Sequence, residues 1–311
     1  MKLVFLDAKT IGSDIDLSAF SSLGEVVLYD FSSPEEAFVR SKEADVLIVN
    51  KTEINARTIG QAEHLKLVCV TATGTNNLDK LYLESRGISW RNVAGYSTES
   101  VAQHTFAMLF FLLEKLRYYD EYVKGGHYVN DRIFTHFSEQ FHELSQMRFG
   151  IIGLGNIGRR VADIASCFGA DVVYYSSSNA PCQKGYHQVD LDTLLRTSDI
   201  ISIHAPLTDR TENLIDTAAL AKMKPSCILL NLGRGPIVVE EDLALALENG
   251  VIAAAGLDVL REEPMASDNP LLRIKDSRRL LITPHIAWAA VESRTRLMEI
   301  IFGQIREYFG I

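Results

Sequence analysis

Cysteine is scarce in this chain: Cys69, Cys167, Cys182 and Cys227 lie far apart in 311 residues, with no C-x-x-C pair and no zinc-like spacing. That pattern excludes a disulfide-stapled scaffold and a thiolate metal centre. Three of the four sit in apolar surroundings, so they are expected to be core or near-core thiols of a protein in a reducing, cytoplasmic setting. Positive charge is also short, with 31 Lys and Arg against 40 Asp and Glu, a net charge of -9. The basic residues gather only in pairs such as Arg159-Arg160 and Arg278-Arg279, which excludes the basic face of a nucleic-acid binder. Long apolar runs are missing as well. The longest, residues 106–113, falls far below the roughly 20 residues that span a bilayer, so no membrane partner is expected. The opening Met1-Lys-Leu-Val-Phe-Leu-Asp7 reads as a strand stopped by an acid rather than as a signal peptide. What remains, with 47% apolar and 23% charged residues, is a globular chain long enough for two domains.

Short apolar runs at 3–6, 25–28, 46–49, 67–72 and 88–90 alternate with helical stretches, and a second series follows at 149–152, 172–175, 199–203, 227–231, 252–257 and 280–283. Alternation of this kind predicts two doubly wound parallel sheets in an α/β chain. Ser97 or Thr98 can cap a long bridging helix with Val101, Thr105, Met108, Leu109 and Leu112 on its buried side. A last helix over 293–308 carries Leu297, Ile300, Ile301 and Ile305, and is expected to return to the first domain. The predicted domains are therefore 1–97 with 287–311, discontinuous and substrate-binding, and 98–286, a Rossmann cofactor domain.

Between residues 148 and 176 the chain reads strand, Gly153-Leu-Gly155-Asn156-Ile157-Gly158, helix, Gly169, strand. A lone G-x-G-x-x-G is a weak signal, but inside a βαβ unit it is the dinucleotide fingerprint. Gly153 permits the tight turn, Gly155 lets a pyrophosphate approach the backbone, and Gly158 lets helix and strand pack closely. The helix is expected to bury Ile157, Val161, Ile164, Ala165 and Phe168, and its N-terminus to face the phosphates.

Three phrases follow: Asn231-Leu232-Gly233-Arg234-Gly-Pro236, Asp258-Val-Leu-Arg-Glu-Glu263-Pro264 and Thr283-Pro-His285-Ile-Ala-Trp288. Each places an ionisable side chain beyond a strand-like run. A guanidinium can grip a carboxylate and polarise the adjacent carbonyl, an imidazole can pass a proton, and a carboxylate can hold that imidazole charged and oriented. Arg234, His285 and Glu263 are thus the candidate catalytic set for reducing a 2-keto acid. The stretch 118–147 fits neither sheet and is rich in Tyr, Phe and His. His127, His136 and His142 lack metal-ligand spacing, so no metal is expected and an aromatic surface meeting another subunit is.

Together with Thr71-Ala-Thr73-Gly74-Thr-Asn-Asn77-Leu-Asp79, Asn92-Val-Ala-Gly-Tyr96-Ser and Asp268-Asn-Pro-Leu-Leu, these phrases make the chain resemble the D-isomer-specific 2-hydroxyacid dehydrogenases over essentially its whole length. Within that family it is most similar to the glycerate dehydrogenase (hydroxypyruvate reductase) branch. The resemblance implies a homodimer built through residues 99–147, with a small 2-keto or 2-hydroxy acid and the cofactor in a cleft between domains. It gives Arg234 the keto-acid carboxylate and carbonyl, His285 the proton, and Glu263, which directly precedes Pro264, the pairing with the imidazole. That pairing is expected to raise the imidazole pKa by about one unit or more. By the same resemblance, the N–H groups of Thr73 and Gly74 clamp the substrate carboxylate. His204, Ala205 and Pro206 wall the adenosine, with the His204 side chain itself structural, Asp258 meets the nicotinamide carboxamide, and Leu232 and Gly233 border the cofactor.

One departure concerns the cofactor. The acid that usually reads the ribose hydroxyls at the end of the second strand is replaced by Ser176, and residues 172–189 contain no acid at all. Ser176-Ser-Ser-Asn179 offers hydroxyls, and Lys184 is the sole Lys or Arg in that stretch. NAD with relaxed selectivity is predicted, leaving NADP open. The alternatives are another substrate, D-lactate or a bulkier 2-keto acid, or a dinucleotide-sensing, corepressor-like binding protein.

Overall fold

The computed structural model describes residues 1–178 and 185–311, so Asn179, Cys182 and Lys184 lie outside the described residues. The chain divides into two compact units, Met1–Ser97 with Ala289–Ile311, and Thr98–Trp288.

In the first unit, β1 (Lys2–Phe5), β2 (Glu25–Leu28), β3 (Val46–Val49), β4 (Leu67–Val70) and β5 (Ser89–Arg91) form a parallel sheet in the order β2-β1-β3-β4-β5. This is the flavodoxin-like order, with its reversal between β1 and β3. Every residue of β3 and β4 is buried, which explains their unbroken apolar runs. The crossovers carry α1 (Pro34–Arg40), α2 (Ala56–Ile59) and α3 (Lys80–Ser85). The α1 helix opens on a reciprocal capping box between Ser33 and Glu36, with Pro34 in its first turn.

The second unit begins with α4 (Thr98–Leu113) and α5 (Leu116–Lys124). It continues through β6 (Arg148–Ile152), α6 (Asn156–Cys167), β7 (Asp171–Tyr175), β8 (His187–Gln188), α7 (Leu191–Thr197), β9 (Ile200–Ile203), α8 (Thr217–Leu220), β10 (Ile228–Asn231), α9 (Glu240–Glu248), β11 (Ala254–Leu257) and β12 (Leu280–Ile282). The seven strands are parallel in the order β12-β11-β10-β9-β6-β7-β8. Counted from β6, that is the Rossmann order 3-2-1-4-5-6 with a seventh strand added, and the order reverses between β6 and β9. One face buries Val101, Met108, Leu109 and Leu112 of α4 with Val161, Ala162 and Ala165 of α6; the other buries Leu194, Leu195, Leu243 and Leu247. The chain then returns to the first unit as α10 (Val291–Phe309), where Arg294 pairs with Asp14 and Phe302 meets Phe20 edge-on at 5.6 Å. No helix among the described residues is long and apolar enough to cross a membrane.

Two expectations need correction. Phe168 is not on the buried face of α6: the helix ends at Cys167, and Phe168 is 47% exposed, its ring resting against Phe106 and Phe110. Cys167 is exposed rather than near-core, because it closes the helix on the solvent side. Cys69 and Cys227 are buried, and burial pushes both thiols up to about 12, which leaves them protonated and inert.

Candidate active site

The glycine loop sits where the seven-stranded sheet reverses. Gly153 follows β6 with φ 94°, and its N–H donates to Tyr175 O at the end of β7 (2.9 Å). A Cβ on Gly153 would come within 2.7 Å of the Ala205 backbone, and one on Gly158 within 2.1 Å of Gly153 O. Gly233 approaches Ala205 O in the same way, where a Cβ would stand at 2.9 Å. These contacts bring Gly153, Gly158, Ala205 and Gly233 together beyond the carboxyl ends of β6, β9 and β10. Gly155, by contrast, faces open space, with no atom within 4 Å of its Cβ position, and α6 starts there with no side chain capping its first N–H groups. Asn156 holds Arg159 through its side chain (2.7 Å), and Ile157 is half-buried. Beside the loop, His204 bonds Ser202 through Nε2 (2.8 Å), while its Nδ1 is buried with no partner. Burial pushes His204 down to about 3, so the ring is neutral at physiological pH. An open cradle at a free helix N-terminus, bordered by an unpartnered buried nitrogen, fits a dinucleotide pyrophosphate and its flanking sugars.

Past β11 and β12 a second group assembles. His285 Nδ1 donates to Glu263 Oε2 at 2.7 Å, and Glu263 Oε1 accepts the N–H of Leu260 (3.1 Å). A carboxylate can only accept, so Nδ1 carries the hydrogen and Nε2 is the atom left to give or take a proton. His285 itself is held at φ 55°, a left-handed conformation that costs a non-glycine residue about 1–2 kcal/mol and persists only where its surroundings impose it. Asp258, 2% exposed, does the imposing. Its Oδ1 accepts from Thr283 Oγ1 (2.6 Å) and Ile286 N (2.9 Å), its Oδ2 from Ala287 N (2.9 Å), and its carbonyl from His285 N (2.8 Å). His104 of α4 completes the clasp: its Nε2 lies 3.1 Å from Thr283 Oγ1, whose own hydrogen is already given to Asp258.

Arg234 stands on the loop after β10. Asn231, 1% exposed, shapes that loop by accepting Gly233 N (3.1 Å) and donating to Arg234 O (2.9 Å). The guanidinium donates to Gly233 O (2.8 Å) and forms no ion pair among the described residues, so its charge is available to an anion. The Arg234 loop and the Glu263 loop meet at Gly235, whose Cβ position lies 1.8 Å from Leu260 O. Glu240 braces the same junction by accepting Arg261 N (2.6 Å) and Asn269 Nδ2 (2.6 Å). Glu240, Gly235 and His104 do not stand out as site residues in the sequence because their roles are contacts with residues far along the chain, whereas Asn231 acts locally within its own phrase. Pro206 is exposed, Leu232 is buried against Ile203 O, and Ser176 follows β7.

Thr73 and Gly74 lie in the first unit, in the bend after β4. Thr73 Oγ1 donates to Val93 O (3.0 Å) and Asn92 Nδ2 to Thr73 O (2.7 Å). The bend therefore holds its shape through side chains, and Asp79 caps α3 behind it through Tyr82 N (3.0 Å). The aromatic stretch after α4 stacks Tyr122 on His136 at 3.8 Å and on His127 at 5.5 Å, and His136 Nε2 bonds Tyr118 and Ser138. Among the described residues no group of three or more His, Cys, Asp or Glu side chains could hold a metal ion.

Residues 106–287 match the family described as D-isomer specific 2-hydroxyacid dehydrogenase, NAD binding domain. The chain is 37% identical over 314 residues to a hydroxypyruvate reductase of Blautia hydrogenotrophica, covering 99% of this chain and 97% of the relative. It is 35% identical over 305 residues to a glycerate dehydrogenase of Methylorubrum extorquens, covering 98% and 93%. Among solved structures it is similar to an acyclic imino acid reductase in complex with NADPH and D-Arg, at a TM-score of 0.88 and 29% identity, covering 100% and 97%.

Proposed function

The chain belongs to the D-isomer specific 2-hydroxyacid dehydrogenase family, and from that premise we propose that it reduces hydroxypyruvate, and glyoxylate with it, to the D-2-hydroxy acid. The observation that carries this reading is the Glu263–His285 pair at 2.7 Å, which leaves Nε2 as the atom that can exchange a proton with a substrate. When bound, the reduced nicotinamide supplies the hydride that arrives at C2. Nε2 of His285 protonates the carbonyl oxygen, and Glu263 stabilises the imidazole and fixes its tautomer. Arg234, which forms no ion pair among the described residues, binds the substrate carboxylate and polarises the carbonyl. The N–H groups of Thr73 and Gly74 are assigned to the same carboxylate.

When bound, a dinucleotide would have its pyrophosphate held by Gly155 and the N–H groups of Asn156, Ile157 and Gly158, with Gly153 shaping the turn. Ser176, His204, Ala205, Pro206, Leu232 and Gly233 would border its sugars and nicotinamide, and Asp258 would meet the carboxamide. The similarity to a hydroxypyruvate reductase and a glycerate dehydrogenase supports the choice of acid. Loss of nicotinamide absorbance with hydroxypyruvate, glyoxylate and pyruvate tests it. Hydroxypyruvate is expected to exceed pyruvate in kcat/KM by about tenfold or more, because a site that bonds the extra hydroxyl is left with unpaired polar groups by pyruvate. Faster pyruvate turnover would reassign the enzyme to D-lactate, and silence with all three despite cofactor binding would favour a dinucleotide-sensing protein.

The proposal includes a homodimer through residues 99–147. After α5 the chain exposes Val129 at 84%, Phe134 at 90% and Phe137 at 79%, an apolar stretch of the kind that marks a protein contact. Phe134→Asp with Phe137→Asp is expected to shift sedimentation from dimer to monomer; a monomeric wild-type protein would remove the dimer from the reading.

A further inference from the structure

The end of β7 lacks the carboxylate that would repel a ribose 2'-phosphate, and the sequence places no arginine within residues 172–189. The fold brings one in from elsewhere. Arg210, on the loop that follows β9, donates from Nη1 to Ser177 O at 3.2 Å. It therefore stands over the turn that opens at Ser176, where Ser176 Oγ and Ser178 Oγ are 2.9 Å apart and Ser178 N donates to Ser176 Oγ (3.3 Å). The same turn is tied to the glycine loop through Tyr175 O and Gly153 N. A guanidinium and two hydroxyls thus converge on the strand end that reads the ribose in this fold, with no carboxylate between residues 172 and 178 to oppose them.

From this convergence we propose that the protein selects NADP(H) over NAD(H), with the 2'-phosphate held by Arg210 and the hydroxyls of Ser176 and Ser178. The proposal rests on the dinucleotide-dependent reading above and revises the relaxed selectivity expected from sequence. A 2'-phosphate presents anionic acceptors that suit the forked donors of a guanidinium, whereas a 2'-hydroxyl gains little from them. Asp209 and Glu212 flank Arg210 in the chain, so recognition depends on directed N–H donors rather than on net positive charge.

Fluorescence titration of the full-length protein with NADPH and NADH reads this without turnover. NADPH is expected to bind at least about tenfold more tightly, and 2',5'-ADP to compete where 5'-AMP does not. Arg210→Ala should erase about tenfold of the NADPH affinity while leaving NADH within about twofold, and Ser176→Asp should reverse the preference. Equal binding of the two dinucleotides by the wild-type protein, or equal weakening of both by Arg210→Ala, overturns the selectivity and leaves the reductase reading standing. Failure to bind either dinucleotide overturns both.

Discussion

His285→Ala is expected to lower kcat by about 10² to 10⁴ while leaving the dinucleotide dissociation constant nearly unchanged. The separation follows from where the groups sit. The cofactor cradle is built from Gly153, Gly155, Gly158 and the ends of β6, β9 and β10, whereas the imidazole is held by Glu263 and by the 283–287 loop that Asp258 clasps. Removing the ring takes away the proton donor at Nε2 and leaves that clasp intact, since Asp258 bonds Thr283 and the backbone of Ile286 and Ala287 rather than the ring. Alanine keeps the left-handed backbone that His285 already adopts, at a similar conformational cost. Steady-state turnover and dinucleotide titration on the same preparation separate the two quantities. Turnover at the wild-type rate would take His285 out of the chemistry, and a matching loss of cofactor affinity would mean that the loop, not the proton, had been disturbed.

The interior strands are legible in the sequence because parallel strands covered on both faces read as near-continuous apolar runs: β3, β4, β9 and β11 are buried at every residue, with Ser202 of β9 the one polar side chain among them. The two-residue edge strand β8, exposed at both positions, carries no such pattern and is invisible. The fingerprint is legible for a largely local reason, since Gly153 N–H answers Tyr175 O and Gly158 answers Gly153 O within one βαβ unit, although Gly153 also closes on Ala205 from the loop after β9. Phe168 misleads because periodicity continues past the point where the helix stops. Legibility fails most where a residue's partner is distant. Glu263 and His285 each stand out in their phrases, but their 2.7 Å contact spans 22 residues. Arg210 reads as an ordinary loop arginine until the fold sets it on Ser177, 33 residues away, and His104 as one more position of a helix until it reaches Thr283, 179 residues on.

Gly235 is the sharpest case of a distant partner and supports the second large effect. Its Cβ position lies 1.8 Å from Leu260 O and 2.4 Å from Arg261 N, against 3.4–4 Å for ordinary contact, and both obstacles are backbone. Gly235→Ala must therefore push the Arg234 loop and the Leu260–Glu263 loop apart. A misplacement of about 1 Å between catalytic groups costs about 10²-fold, so kcat/KM is expected to fall by that factor or more. Overpacking of a close backbone contact adds about 1–3 kcal/mol of destabilisation, seen as a lower Tm. Gly303, in the middle of α10 with no atom within 4 Å of its Cβ position, is the control: Gly303→Ala should leave kcat/KM unchanged and gain about 0.5–1 kcal/mol from helix propensity. The glycine loop after β6 is separate from this junction, whereas Leu232, Gly233 and Asp258 flank it, so the loss in kcat/KM is expected to exceed any loss of dinucleotide affinity, placing the main defect in the alignment of Arg234 with Glu263 and His285. Wild-type kcat/KM in Gly235→Ala would show that the two loops need no such register, and the guanidinium and the imidazole would then have to be aligned by some other contact.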